Sequence, residues 1–289
     1  MNTSFSEIDA LFHPRSVAMV GITTANPNHW TRGFLEGYLK FEFSSRGNLY
    51  LVNPKGGTVE GIHVYKSIRD IPDTVDFIIG LVPSRVSPQL IEEAAAKGAR
   101  FAQFCTAGFS ETGDEEGIQT EAALLEAARS HNIRIIGPNC LGAYCPEAQM
   151  SFSELFPRES GSVGFISQSG GNTNYLIRQA ALRGVRFSKA ISMGNACDLN
   201  ECDFLEYLAD DPKTEIIALY LEGIKNGAAF RRSLRYAAAR KTVVLLKGGA
   251  GSAGARAVMG HTASLAGSHD IWKSLCRQEG IILVQTSMR

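Results

Sequence analysis

Alternation is the feature that most constrains this chain. Short apolar runs rich in β-branched residues, each bounded by Gly, Pro, Asn or Asp, recur at 16–21 (SVAMVG), 48–52 (NLYLV), 75–82 (VDFIIGLV), 100–104 (RFAQF) and 133–136 (IRII). Such runs read as strands. Helical stretches lie between them: Ser87 to Gly98 has a Ser-Pro start, early acids and a closing glycine, and Gly117 to Ser130 has helical apolar spacing. Strands alternating with helices require a parallel sheet covered on both faces. The pattern then restarts. Residues 143–161 show weak periodicity, two prolines and clustered Ser and Glu, which predicts a linker. Beyond it come strands at 163–166, 185–191, 215–221, 242–246 and 281–284, with helices near 172–183, 203–209, 226–239 and 267–278. The expectation is an α/β protein of two tandem doubly wound parallel-sheet domains, 1–145 and 146–289. A length of 289 residues suits two domains of roughly 150 each.

Composition excludes several classes of function. Lys+Arg and Asp+Glu both number 29, so no global field draws in nucleic acid or an anionic membrane. No apolar run reaches about 18 residues, and MNTSFSEIDA has neither the basic nor the apolar region of an export signal. The six cysteines (105, 140, 145, 197, 202 and 276) form no C-x-x-C pair and lie in or beside apolar segments. They read as buried thiols in a reducing cytoplasm rather than disulfides or metal ligands, and no metal site is expected. Ending at QTSMR just after the last strand, the chain reads as a piece of something longer.

In open α/β sheets, ligands sit outside the carboxyl ends of the strands. In the first domain the residues there are Gly21, Asn53 to Gly56, Pro83 to Arg85, Cys105 to Phe109 and Gly137 to Gly142, all converging on one crevice. GITTANPNHWTRG does not satisfy G-x-G-x-x-G, leaving Gly21 and Gly33 for close approach to a pyrophosphate. The second strand runs into Asn-Pro-Lys, where a nicotinamide site would want an acid for the ribose hydroxyls. Lys55 instead offers a cation to a phosphate-rich nucleotide such as coenzyme A, unless it is only a solvated loop lysine.

The first strand of the second domain runs into Ser167-Gln168-Ser169-Gly170-Gly171-Asn172 and then a helix. Successive amides at a helix start, with hydroxyls and glycines, make an anion cradle; a plain Ser or Asn cap is the other reading of the same residues. The strand EIIALYL ends in Glu222-Gly223, and TVVLL opens into a Gly- and Ala-rich stretch carrying His261. Ser167 to Ser169, Glu222 and His261 therefore leave the same sheet edge. A carboxylate on one ring nitrogen fixes the tautomer and frees the other as a nucleophile, while the helix start holds the incoming phosphoryl group. The constellation suits a phosphohistidine. His13, His29, His63, His131 and His269 have no comparable setting and read as surface or packing residues.

VAMVG, LVNPKGG, LVPS, CTAGFSE, IGPNCLG, FISQSGG, SMGNACD, FLEYLADDP, LYLEGI and GHTASLAG occur in this order from about Phe12 to Val284. The succession resembles the ADP-forming acyl-CoA (acetyl-CoA) synthetase family, which is related to the alpha subunit of succinyl-CoA synthetase. The resemblance implies a Rossmann-like CoA-binding domain followed by a flavodoxin-like ligase domain. It implies His261 as the phosphorylated histidine, Glu222 as its orienting carboxylate, and Ser167, Gln168, Ser169 and Gly170 as the phosphate-holding turn. It implies Gly21, Lys55, Pro83, Ser84, Thr106, Gly108 and Asn139 as CoA contacts. Family enzymes form an acyl phosphate from acyl-CoA and phosphate, pass the phosphoryl group to histidine, and deliver it to ADP in an ATP-grasp domain. Nothing in these 289 residues resembles that domain, so an ATP-grasp subunit or fused domain binding Mg-ADP/ATP is an expected partner, within a homo- or hetero-oligomer. The alternative is a non-catalytic module sensing CoA or acyl-CoA. The chain departs from the family at Asn28-His29-Trp30, where a small Gly-Lys-Val-Gly type stretch is usual, and at Gly260-His261-Thr262-Ala263, where Ser-His-Thr-Gly is more common.

Overall fold

A computed structural model describes residues 4–249 and 269–284. The first sheet contains β1 (Ser16–Val20), β2 (Asn48–Val52), β3 (Gly57–Val59), β4 (Ile62–Tyr65), β5 (Phe77–Gly80), β6 (Phe101–Phe104) and β7 (Arg134–Ile136), in the order β3-β4-β2-β1-β5-β6-β7. All pairings are parallel except the β3–β4 hairpin. Without that edge hairpin strand, the sequence is that of a Rossmann sheet, whose order reverses between β1 and β5. Successive residues of β1 enter opposite cores. Val17 and Met19 pack with Phe34, Leu35 and Tyr38 of α2 (Trp30–Lys40), while Ala18 and Val20 pack with Leu90, Ile91 and Ala94 of α3 (Ser87–Ala95) and Leu124 of α4 (Glu115–Ser130). Helices thus cover both faces, which is why the strands are continuously apolar.

The second sheet is β8 (Gly142–Tyr144), β9 (Val163–Ser167), β10 (Phe187–Ser192), β11 (Ile216–Leu221), β12 (Thr242–Lys247) and β13 (Ile282–Val284), ordered β13-β12-β11-β9-β10-β8. β8 is antiparallel to β10 and the rest are parallel. Leaving out β8, this is the flavodoxin-like order, with its reversal between β9 and β11. Its helices among the described residues are α5 (Gly170–Leu182), α6 (Glu201–Asp210), α7 (Gly227–Ala238) and α8 (His269–Glu279). An N-terminal helix, α1 (Phe5–Phe12), packs against α6: Phe5 and Phe12 stack on Tyr207, whose hydroxyl donates to Asp9 Oδ1 at 2.9 Å.

The predicted linker at 143–161 is corrected by the structure. Gly142–Tyr144 is already a strand of the second sheet, just before the expected boundary at 145/146. After it the chain is buried at Cys145, Ala148, Met150, Ser151, Phe152 and Phe156. Tyr144, Phe152 and Phe156 meet edge to face, and Phe41 at the end of α2 meets Tyr144. Gly37 of α2 lies so close to this segment that a Cβ there would sit 2.3 Å from the Ser151 carbonyl oxygen. Aromatics at irregular spacing match neither a helical nor a strand period, so their burial is set by tertiary packing. As a result one apolar cluster runs from the α2 face of the first sheet into the core of the second.

Within the second domain, Lys189 on β10 and Asp211 form an ion pair at 2.9 Å, both side chains 3% exposed, and Thr214 also donates to Asp211. Burial opposes the charged carboxylate, but the bonds from Lys189 and Thr214 outweigh it and hold Asp211 below its ordinary value. Removing one partner of a buried pair strands the other charge, at a cost of about 3–5 kcal/mol. Asp211→Ala should lose stability of that order at pH 7 by chemical denaturation. Because the folded value is depressed, the wild-type advantage is complete above the unfolded carboxylate pKa and drains away as pH falls through the folded one. The gap between wild type and variant should therefore narrow in strong acid.

Candidate functional site

The reversal point of the first sheet is a crevice of about 290 Å³ lined by Gly21, Val52, Pro54, Lys66, Val82 and Gln89 among others. Gly21 takes φ +100, with its amide bonded to the Val52 carbonyl; a Cβ there would lie 2.4 Å from the Leu81 carbonyl oxygen. Only glycine lets β1 turn this close to β5. Lys55 is exposed on the next loop, its amide held by Asn53 Oδ1 at 3.0 Å. Asn53 in turn donates to the Ile22 carbonyl at 2.8 Å, tying this loop to the turn after β1.

Four other expected contacts interlock further along the same edge. Thr106 Oγ1 donates to the Val82 carbonyl at 2.7 Å, and the Asn139 amide donates to the Thr106 carbonyl at 3.2 Å. Asn139 is left-handed at φ +55, a conformation asparagine tolerates. Gly108, at φ +101, stands against Ser84, whose Oγ would be 2.9 Å from a Cβ at that glycine. Pro83 is exposed and starts the turn carrying Ser84. Because the Gly108 amide is already bonded to Glu111 Oε1 at 2.7 Å, this glycine offers a visitor close approach rather than a free donor.

Gly33 has open space where a Cβ would stand, so it is not held by close packing. In the atypical stretch before it, His29 caps α2 by accepting from the Thr31 amide at 3.4 Å, and Trp30 is half exposed. Lys66 escaped the sequence reading because the β3–β4 hairpin did. The signal was there: Glu60 and Gly61, both at positive φ, form a two-residue turn between short strands, and Lys66 is the first residue after β4.

At the reversal point of the second sheet, the turn after β9 is organised by its own side chains. Ser167 Oγ donates to the Ser169 carbonyl and accepts from the Ser169 amide, and Ser169 Oγ caps α5 by accepting from the Asn172 amide at 3.3 Å. The amides of Gly170 and Gly171 are among those that a helix start leaves without an intrahelical acceptor. Gln168 crosses to the neighbouring strand end: Nε2 donates to the Gly223 carbonyl at 2.8 Å, and Oε1 accepts from the Glu222 and Gly223 amides. The turn and Glu222 are therefore held side by side.

Glu222 is 6% exposed and acts with Tyr220 and Lys247. Lys247 Nζ donates to the Glu222 carbonyl at 2.7 Å and stands 5.6 Å from the Trp272 ring centre. Burial lowers the Lys247 ammonium below the usual lysine value, with the Glu222 carboxylate opposing that shift. The Tyr220 hydroxyl is raised, chiefly by burial and then by Glu222. Gly248 faces both, leaving room for no side chain: a Cβ would be 2.7 Å from the tyrosine oxygen and 3.1 Å from Glu222 Cγ. His261 lies outside the described residues.

A polar cavity of about 80 Å³ lies between the loop after β6, at Ser110 and Glu111, and the second domain's Gln168, Gly194, Asn195, Gly223 and Lys225. Burial pushes the thiols of Cys105 and Cys197 up to about 12 and that of Cys140 well above its usual value, so near neutral pH they are neutral groups. All six cysteines are free, and among the described residues no set of three His, Cys, Asp or Glu is placed to hold a metal.

A Rossmann-ordered sheet joined to a flavodoxin-ordered one, each with its reversal point open to ligand, defines a two-domain α/β protein of the nucleotide- and phosphate-handling kind. Residues 15–146 match the CoA binding domain, and 160–289 the succinyl-CoA ligase like flavodoxin domain. The chain belongs to the ADP-forming acyl-CoA synthetase family, as the portion built from these two domains. It is 39% identical over 277 residues to acetate–CoA ligase (ADP-forming) I of Archaeoglobus fulgidus, covering 95% of this chain and 39% of that one. It is 37% identical to subunit alpha of acetate–CoA ligase (ADP-forming) II of Pyrococcus furiosus, covering 96% and 60%. The acetyl-coenzyme A synthetase 1 of Ca. Korarchaeum cryptofilum, solved with phosphate and ADP, superposes with a TM-score of 0.88 at 33% identity, covering 99% of this chain and 60% of that one. The chain thus spans between about two fifths and three fifths of the relatives it matches. No helix among the described residues is long and apolar enough to cross a membrane.

Proposed function

We propose that this chain is the CoA-binding and phosphohistidine portion of an ADP-forming acyl-CoA synthetase, catalysing acyl-CoA + ADP + phosphate ⇌ acid + CoA + ATP together with an ATP-grasp part outside these 289 residues. The observation that carries the reading is the Gln168 bridge, which holds an amide-lined turn and the Glu222 strand end together across the reversal point. CoA occupies the first-domain crevice, with Gly21 giving it close approach, Lys55 and Lys66 meeting its phosphates, and Pro83, Ser84, Thr106, Gly108 and Asn139 following it toward the second domain. A phosphate oxygen attacks the thioester carbonyl; the C–S bond breaks and CoA leaves as the thiol. A ring nitrogen of His261, oriented by Glu222, then attacks phosphorus, and the acid leaves as carboxylate when the P–O bond breaks. The Ser169 hydroxyl and the helix-start amides of Gly170 and Gly171, on a turn shaped by Ser167 and Gln168, stabilise the phosphoryl charge, donors whose single loss costs about 10²–10³-fold. The phosphohistidine finally gives its phosphoryl group to ADP in the ATP-grasp part. These substrates and the six free thiols support a cytoplasmic location.

The test is to combine the chain with its ATP-grasp part and γ-labelled ATP. An acid-labile, base-stable protein phosphate should form and be discharged by carboxylic acid plus CoA. CoA binding without labelling in any such combination would leave a sensor instead. By calorimetry CoA should bind at least tenfold more tightly than NAD; the opposite ranking would remove the assignment of the crevice.

A further inference from the structure

We propose that Glu111 and Asn195 are positioning residues that set the CoA-side loop of the first domain at a fixed distance from the phosphate turn of the second. The inference rests on the functional reading above and names residues it does not use.

Glu111 spends both carboxylate oxygens on this task. Oε1 accepts from two successive amides, Gly108 at 2.7 Å and Phe109 at 3.2 Å, and so fixes the curvature of the loop after β6. Oε2 accepts from Asn195 Nδ2 at 2.5 Å, across the cavity joining the domains. The same amide nitrogen donates to Glu121 Oε2 of α4 at 2.8 Å. Asn195 is anchored from behind, because its amide donates to the Pro138 carbonyl at 3.0 Å and its carbonyl accepts from Lys225 Nζ at 2.9 Å. Lys225 is two residues past Gly223, which Gln168 grips. Gly194 completes the seat at φ +50, where a Cβ would collide with the Pro138 and Asn139 carbonyl oxygens at 2.2 and 2.3 Å. An unbroken series of hydrogen bonds and short covalent links therefore runs from the amides of Gly108 and Phe109 to the turn at Gln168. Its side-chain link between domains at the cavity is carboxylate to carboxamide.

The thioester step is the one that needs both loops at once, since CoA is held by one and phosphate by the other. Phosphorylation of His261 from ATP needs only the second. The latch should therefore act on one half-reaction. An ångström of misplacement can cost about 10²-fold in rate, so Asn195→Ala should slow single-turnover acyl-CoA formation from the labelled phosphoenzyme about 10–100-fold. Label uptake from ATP should stay within about twofold of wild type, and the KM for CoA within about threefold. Glu111→Ala, which also frees the loop amides, should in addition weaken CoA binding about tenfold by calorimetry. A triple variant, Glu111→Gln, Glu121→Gln and Asn195→Asp, exchanges carboxylate for carboxamide on both sides of the latch, while the carboxamide introduced at position 111 keeps an oxygen for the two loop amides. It should recover to within about threefold of wild type.

The measurement uses the complex with its ATP-grasp part, with acetate, butyrate and benzoate as acids and the fastest wild-type substrate chosen. An Asn195→Ala complex that labels and turns over like wild type overturns the latch. So does a triple variant that labels normally yet remains as slow as Asn195→Ala. Failure of the wild-type complex to label at all overturns instead the functional reading on which the latch depends.

Discussion

His261→Ala should abolish phosphoenzyme formation, a fall of at least about 10³-fold in label retained from γ-labelled ATP, while the affinity for CoA changes less than twofold. The two effects separate because the sites do. The imidazole is the sole nucleophile proposed for phosphorus, and neither water nor a neutral thiol of the raised cysteines substitutes for it. CoA, by contrast, is proposed to sit in the crevice at the reversal point of the other sheet. Label trapped in alkaline gel and CoA calorimetry on the same preparation check both halves. Equal labelling of wild type and variant would remove the histidine from the mechanism.

Gly21→Ala should give the mirror image, with CoA binding lost by at least about 10²-fold and labelling from ATP retained. Alanine must be accommodated at φ +100, a strain of about 1–3 kcal/mol, and its methyl group would meet the Leu81 carbonyl oxygen at 2.4 Å and the carbon bearing it at 2.8 Å. Neither backbone atom can swing away as a side chain does, so β1 and β5 must part at the end where the crevice opens. Retained label shows that the second domain still folds, and so distinguishes a closed crevice from a collapsed protein. Normal CoA affinity would place the ligand elsewhere.

Where periodicity and strand-end logic applied, the sequence was a sufficient guide. The apolar strands of both sheets stand within a residue or two of their expected positions, and Gly21, Ser167 to Gly170 and Glu222 sit at the reversal points because any residue following a strand there must. Three kinds of information escaped that logic. Tyr144, Phe152 and Phe156 are buried by partners far away in sequence, so their segment looked like a linker. The β3–β4 hairpin is too short for a periodic signal, and Lys66 was lost with it. Gln168, Glu111 and Asn195 act through hydrogen bonds between elements, which spacing along one strand does not encode, although Gln168 was flagged by its neighbours. The role of His261 still rests on the sequence, since that residue lies outside the described part of the chain.

The buried aromatic segment between the domains has a kinetic meaning. Hinged enzymes admit and release ligands by swinging one lobe about a few solvated residues, and here that region is instead dry and shared with the cores on either side. Opening it would expose Tyr144, Phe152 and Phe156 together, a cost of several kcal/mol at about 25 cal/mol per Å². Lobe rotation at this joint thus carries a penalty of several kcal/mol, which favours travel of the phosphoryl group by segments outside it.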